Sequence, residues 1–466
     1  MKKKFLTIFF PLLLLHASDT AQHSLTLDEA LQVLKAQNLE IKAANYDEKV
    51  AQANTKTVSG MNWGKLDFQQ DFARSDDAGN VFGFKLTSRE ATFGDFGFDQ
   101  FISQMDTITP GSPTFDGGTK LLATQPDKLN YPEDRNFYQT KLKYELPIFT
   151  GFKISSYTDI MEAMAKMKSL DKKKVYKEKQ YQLKKSFYDM ALLKSSIAHL
   201  NVIYNNIKIL ENTTKEMIDV GYAKKVDLLE VQSKKANVKR LLIKMEANEQ
   251  LLYHFISFLL NEKVTDIVTP TNQVPMPHFS DEEILANNLD IQKAKTGLEI
   301  RNDMISANEA GLYYPMVGAF AEIGTADDTF LGDANDHKAY TVGARLTWNI
   351  FNGGIDGAKV EKAKLEKLKT ASQVELAKKG IMLQIAKIRT EITSLDSEIA
   401  SLRKELELAD TIYANYEGRY KEKLVSMNDV IIKQSQQIEK ILQLQMAINK
   451  RTERVFALEK LANGEE

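Results

Sequence analysis

The chain has 466 residues and a formal net charge of −1, so no global field selects nucleic acid or acidic lipid as a partner. It contains no cysteine, which excludes thiolate metal sites, a cysteine nucleophile, disulfide staples and a cysteine-linked lipid anchor.

Lys2, Lys3 and Lys4 precede an apolar run from Phe5 to Leu15, followed by the small residues Ala17, Ser18 and Ala21. This layout predicts a secretory signal peptide over 1–21, cut after Ala17 or Ala21. The run is too short to span a bilayer as a helix, and no later stretch offers about 20 uncharged apolar residues. A membrane-bound mature chain must therefore cross as strands.

Next come an opening helix (27–58) and a strand (64–73). The connection over 74–135 is rich in Gly, Asp and Phe ("NVFGFKL", "TFGDFGFDQF"). A second strand (137–147) places Tyr138, Thr140, Leu142, Tyr144 and Leu146 on one face. Pro147 suits a strand end that loses its ladder partner, and Gly151 suits a sharp strand-to-helix joint. Helices fill 152–262. Phe152 to Val220 holds neither glycine nor proline, enough for a helix of roughly 100 Å. Pro270, Pro275 and Pro277 mark an extended linker over 263–280.

A helix (281–310), strands (315–323 and 340–350) and helices (355–463) then follow. From Tyr340 to Ile350 the residues Tyr340, Val342, Ala344, Leu346, Trp348 and Ile350 alternate with polar or small ones. Such alternation fits a membrane-crossing strand or a soluble hairpin packed on helices. "IFNGG" lacks the spacing of a phosphate loop, and its partner "IFTGF" keeps one glycine, so Gly353 and Gly354 read as a second joint. Ile441, Ile448 and Val455 recur every seven residues, with Ile438 and Leu458 alongside, which is coiled-coil spacing.

The chain is written twice. Ala36, Asn38, Leu39, Ile41 and Ala44 return 250 residues later as Ala286, Asn288, Leu289, Ile291 and Ala294. Further on the offset is 202, pairing Asp227 with Asp429, Gln232 with Gln434, Leu259 with Leu461 and Asn261 with Asn463. The first copy (22–262) therefore carries 48 residues that the second (281–463) lacks, all between its strands. Four strands cannot close a barrel alone, so strands in a membrane require several chains. Three copies would give twelve.

Duplication, "PIFTG" and "NIFNGG" junctions and long helical hairpins together resemble the TolC family of outer-membrane efflux channels. The resemblance spans Leu25 to Asn463. It implies a mainly α fold with a small β part: a homotrimeric 12-stranded outer-membrane β-barrel over a periplasmic α-helical barrel. The implied role is the passive exit channel of a tripartite export system, for small molecules, drugs or metal ions or for type I secretion. The implied partners are outer-membrane lipid, a periplasmic adaptor (membrane fusion) protein, and an inner-membrane RND-type transporter or ABC exporter.

The resemblance also points to the tips, "DVGYAKKVDLLEVQ" and "KEKLVSMNDVIIKQ". Asp429 matches an aspartate that rings the periplasmic entrance, where repulsion among copies attracts cations. Asp227 and Tyr420 match residues that bridge the tips. Val425 stands in place of the expected arginine, Ile432 in place of a second pore aspartate. Gly221, Tyr222, Lys224, Lys225, Lys423, Leu424, Val425 and Ser426 fall where the adaptor would touch. Lys423 replaces the expected glycine, and Lys224 and Lys225 either tune adaptor choice or are solvated charge.

The histidines (16, 23, 199, 254, 278 and 337) show no metal-ligand spacing. No catalytic constellation, cofactor, metal or nucleic-acid site is expected. The alternative to a duct is a periplasmic coiled-coil scaffold with soluble β-hairpins.

Overall fold

The computed structural model describes residues 24–105, 121–270, 274–330 and 337–462. The expected signal peptide, part of the 74–135 connection and Asn463 lie outside them. The element order is α1 (Leu27–Gln37), α2 (Leu39–Ser59), β1 (Lys65–Ser75), α3 (Ala78–Thr87), α4 (Phe98–Met105), α5 (Asp127–Asn130), β2 (Arg135–Phe149), α6 (Lys153–Asp219) and α7 (Lys225–Leu260). The second copy adds α8 (Asp281–Asn287), α9 (Leu289–Tyr313), β3 (Met316–Asp327), β4 (Lys338–Thr347), α10 (Ile355–Lys421) and α11 (Met427–Ala462).

The duplication reaches the helix ends. Lys153 and Ile355, Asp219 and Lys421, Lys225 and Met427, and Leu260 and Ala462 are each 202 residues apart. The helices over 27–58 and 281–310 are each broken in two, a departure from the sequence reading with a shared cause. The Asn38 side chain accepts from the Ile41 N–H at 3.0 Å and donates to the Leu259 carbonyl at 2.7 Å. Asn288 accepts from Ile291 at 3.2 Å and donates to Leu461 at 3.1 Å. An asparagine inside a helix that caps the next segment ends the first one.

The chain divides into two compact units, each built from both copies. The first comprises residues 1–48, 167–295 and 372–466 and is helical. Its largest core draws Ile203, Ile207 and Leu210 from α6, Val231 and Val238 from α7, Tyr413 and Tyr420 from α10, and Val430, Ile438 and Ile441 from α11. Val455 and Leu458 are buried in a second core and Ile448 packs against a third, so the heptad seam is buried as its spacing predicts. The linker is packed as well: Ile267 bridges Leu25, and the Val274 carbonyl accepts from the Arg451 guanidinium at 2.7 Å.

The second unit, residues 49–166 and 296–371, holds a four-stranded antiparallel sheet in the order β1-β2-β3-β4. β4 ends at Thr347, short of the expected Ile350. Thr347 pairs with Met316, the first residue of β3, and Pro315 before it has no N–H to extend the ladder. Pro147 is likewise not a strand end. It lies within β2 at a register shift between Pro147 and Phe149, where a residue without a donor is tolerated.

Candidate functional site

Residues directly opposite in an antiparallel ladder share a face, so the register sorts every strand residue onto one of two faces. One face collects Leu66, Phe68 and Phe72 of β1, Tyr138, Leu142, Tyr144 and Leu146 of β2, Val317, Ala319, Ala321 and Ile323 of β3, and Tyr340, Val342, Ala344 and Leu346 of β4, interrupted by a polar row of Gln70, Thr140 and Thr325. The other collects Asp67, Gln69 and Asp71, Gln139, Lys141, Lys143 and Glu145, Glu322, and Thr341 and Arg345, together with the aromatic Phe137 and Phe320. The apolar face is bare: Phe68 is 66% exposed and Val342 74%. A soluble protein rarely leaves so large a contiguous apolar surface to water.

Aromatic residues mark both ends of that face. At one end Phe72, Tyr138 and Phe330 meet, with ring centroids 5.6 Å apart for Phe72–Tyr138 and 5.8 Å for Phe72–Phe330. At the other, the Tyr144 hydroxyl donates to the Trp63 carbonyl at 2.7 Å, and both Trp63 and Trp348 are exposed. Two aromatic belts around an apolar band are the pattern of a membrane strand, and the 10 to 15 residues per strand are enough to cross. β1 and β4 each have a neighbour on one side only, so two rows of backbone groups stay open.

The joints leave this sheet for α6 and α10. Gly151 (φ +63°) and Phe152 (φ +69°) are both left-handed, as are Gly353 (φ +69°) and Gly354 (φ +83°), 202 residues on. Three of these four left-handed positions are glycine. The fourth is a phenylalanine in a conformation unfavourable for a side chain. Ring contacts hold Phe152 there, edge-on to Phe149 and to Tyr314, each at 5.4 Å.

In the helical unit, both hairpin tips use one helix-ending pattern. Gly221 N–H bonds to the Ile218 carbonyl at 3.0 Å and Tyr222 N–H to Met217 at 2.7 Å. Lys423 to Tyr420 and Leu424 to Arg419 repeat them at 2.9 Å each. This is the Schellman arrangement, whose turning residue is left-handed. Gly221 fills it at φ +80°, and Lys423 takes the same conformation at φ +66°. The Lys423 ammonium in turn lies 3.3 Å from the centre of the Tyr222 ring, a cation–π contact joining the two tips. We therefore expect Lys423→Ala to lose about 0.5–1 kcal/mol with that contact. Lys423→Gly should change stability less, because the backbone relief offsets the loss. Thermal unfolding of both variants checks the ordering.

Asp227 and Asp429 sit at equivalent positions in the first turns of α7 and α11. Asp227 accepts from the Lys224 N–H at 2.8 Å. Asp429 accepts from the Ser426 hydroxyl at 2.6 Å and the Ser426 N–H at 3.0 Å, and these bonds hold its carboxyl below the usual range. Both aspartates are helix caps. Tyr420 is buried, and its hydroxyl faces that of Thr214 at 3.4 Å. Burial, opposed by the Thr214 contact and aided by the Asp227 charge, raises its pKa. Lys224, Lys225, Leu424 and Ser426 are exposed and Val425 packs against the core.

Above the tips lies a polar cluster that the sequence does not reveal. Gln232 of α7 donates to Glu211 of α6 at 3.3 Å, and their counterparts Gln434 and Tyr413 are 3.4 Å apart. Glu211 also receives Lys235 at 2.5 Å and Lys215 at 3.2 Å. The Lys235 hydrogen bond leads, working against burial, with Gln232 and Lys215 adding, and the carboxyl is held at about 2. A depressed carboxylate contributes stability above its unfolded value, lost as pH falls through the folded one. Glu211→Gln should thus unfold more readily than wild type at pH 7. The gap should close between pH about 4.5 and about 2, which pH-resolved melting reads.

Residues 282–464, nearly the whole second copy, match the family model described as outer membrane efflux protein. No characterised protein matches the chain in sequence. Among solved structures the fold is similar to that of CusC, at TM-score 0.75 and 12% identity, covering 94% of this chain and 92% of that one. It is also similar to the outer membrane protein VceC of Vibrio cholerae (TM-score 0.73, 14% identity, 94% and 96% covered). The open-state MtrE outer membrane channel of Neisseria gonorrhoeae is a third, at TM-score 0.72 and 12% identity, with 94% and 89% covered.

Proposed function

We propose that this chain, whose residues 282–464 match the outer membrane efflux protein family model, is an outer-membrane export channel and that three copies form its duct. The observation that carries this reading is the sheet: one face largely apolar and exposed, broken by Gln70 and Thr140, the other largely polar, with both edges open. Lipid leaves no open strand edge unpaired, so β4 of one copy would pair with β1 of the next until twelve strands close. Lipid then covers the apolar face, and the polar face lines the pore. A soluble scaffold would leave that apolar face in water, so it accounts for the sheet poorly.

The helical units of three copies would continue the duct in the periplasm, with the tips at its entrance. There an adaptor protein would meet Gly221, Tyr222, Lys224, Lys225 and the 423–426 turn, and an RND-type transporter or ABC exporter would supply energy. The cargo is either small molecules, drugs or metal ions, or a type I secretion substrate. Three Asp429 carboxylates would face one another at the entrance. Three such charges gathered at one aperture would attract cations. Asp429→Asn should weaken block of the channel by divalent cations added on the tip side.

The deciding measurement is detergent-purified protein in planar bilayers, with its mass read alongside. A stable three-copy complex with ion conductance supports the duct; a soluble, non-conducting monomer overturns it.

A further inference from the structure

The 48 extra residues of the first copy fall in the connection between β1 and β2, and the register shows which face of the sheet it covers. Phe137 alternates with Gln139, Lys141 and Lys143 and so belongs to the polar face, yet it is only 8% exposed. Phe84 of α3 covers it, the rings stacked with centroids 4.2 Å apart and 11° between planes. α3 packs on both β2 and β3, with Val81 fully buried. Thr87, at its end, lines a small cavity with Gln139, Lys141, Glu322 and Thr341, all polar-face residues. Arg135, next along the polar face of β2, forms an ion pair with Glu90 just beyond α3 and approaches Asp328 at 3.4 Å.

The segment is internally braced too. Lys85 pairs with Asp95 at 2.5 Å, and Phe82 meets Phe96 edge-on at 4.9 Å. Glu90, Asp327 and His337 come close enough to suggest a cation site, but the Arg135 guanidinium already neutralises Glu90. The cluster is a clamp between the insertion and the strands.

We propose that residues 78–90 form a docked constriction on the lumen side of the outer mouth, setting the size limit of exit. This rests on the duct reading, which makes the polar face the pore wall. A segment attached to lipid or decorating the exterior would pack on the apolar face or on neither. Within residues 78–90 Lys85 is paired with Asp95 and Glu90 with Arg135, so the segment narrows the mouth by its bulk rather than by a net acidic charge.

The test uses the full-length oligomer in planar bilayers. Replacing residues 81–90 with a glycine-serine linker of equal length should raise single-channel conductance by a factor of order two. Equal conductance in both proteins would overturn the constriction while leaving the duct intact. Silence from both would remove the duct itself. Because the chain lacks cysteine, Thr87→Cys with Gln139→Cys gives a second reading. An oxidant should link the pair and leave conductance unchanged. Failure to link would show that α3 does not rest on the pore wall, and a fall in conductance on linking would show a moving lid instead.

Discussion

Leu142→Arg is expected to prevent stable insertion of this protein into the outer membrane. Leu142 lies midway along β2, between Phe68 on β1 and Ile323 on β3, and all three belong to the bare apolar face. A cationic residue on the lipid side of a barrel costs about 2–4 kcal/mol near the bilayer midplane. Closure from three copies multiplies this to roughly 6–12 kcal/mol per assembly, comparable with the whole stability of a typical domain. The chain supplies its own control, since Lys141 and Lys143 flank Leu142 and point to the polar face. Thr341→Arg, on that face of β4, should be accepted, and Val342→Arg beside it should fail as Leu142→Arg does. Folding into lipid vesicles, read by heat-modifiable migration and urea midpoint, separates the cases. Normal assembly of Leu142→Arg would mean that this face does not meet lipid.

How much of this was legible in the sequence depends on the range of the interactions responsible. Period-two alternation and long glycine-free stretches are local signals, and from them alone four strands and long helices are expected. The twofold repetition is legible because the same side chains do the same work twice, as Asp227 and Asp429 do in capping. Where the sequence reading went past the structure, the missing fact was a partner. Alternation runs on to Ile350, but the ladder stops at Thr347 because β3 begins at Met316. Asn38 and Asn288 were visible as repeated residues, yet their work as helix breaks depends on carbonyls 221 and 173 residues away. The Lys423–Tyr222 contact and the seat of Phe84 on Phe137 are also long-range, and composition carries no trace of them. The candidate gate residues were found only through resemblance, since an aspartate in a helix's first turn reads as a cap until several copies are brought together.

The two joints offer the sharpest comparison, because one motif sits in two surroundings. Gly151 and Gly353 share a left-handed backbone, so alanine at either should cost about 1–2 kcal/mol from that conformation alone. At Gly353 nothing lies within 4 Å of where the new methyl group would stand, so the cost should end there. At Gly151 the same methyl would come 2.7 Å from Tyr314 Cβ and 3.1 Å from the Ala310 carbonyl oxygen. Neither can yield easily: Tyr314 is held edge-on by both Phe149 and Phe152, and the Ala310 oxygen belongs to α9 backbone. Overpacking of this kind adds about 1–3 kcal/mol. Gly151→Ala should therefore unfold well before Gly353→Ala in a thermal or urea series, and Gly353→Ala should still assemble. Equal losses would mean that the backbone turn alone sets the requirement for glycine at both joints, and that the Phe149–Phe152–Tyr314 cluster does not anchor the first.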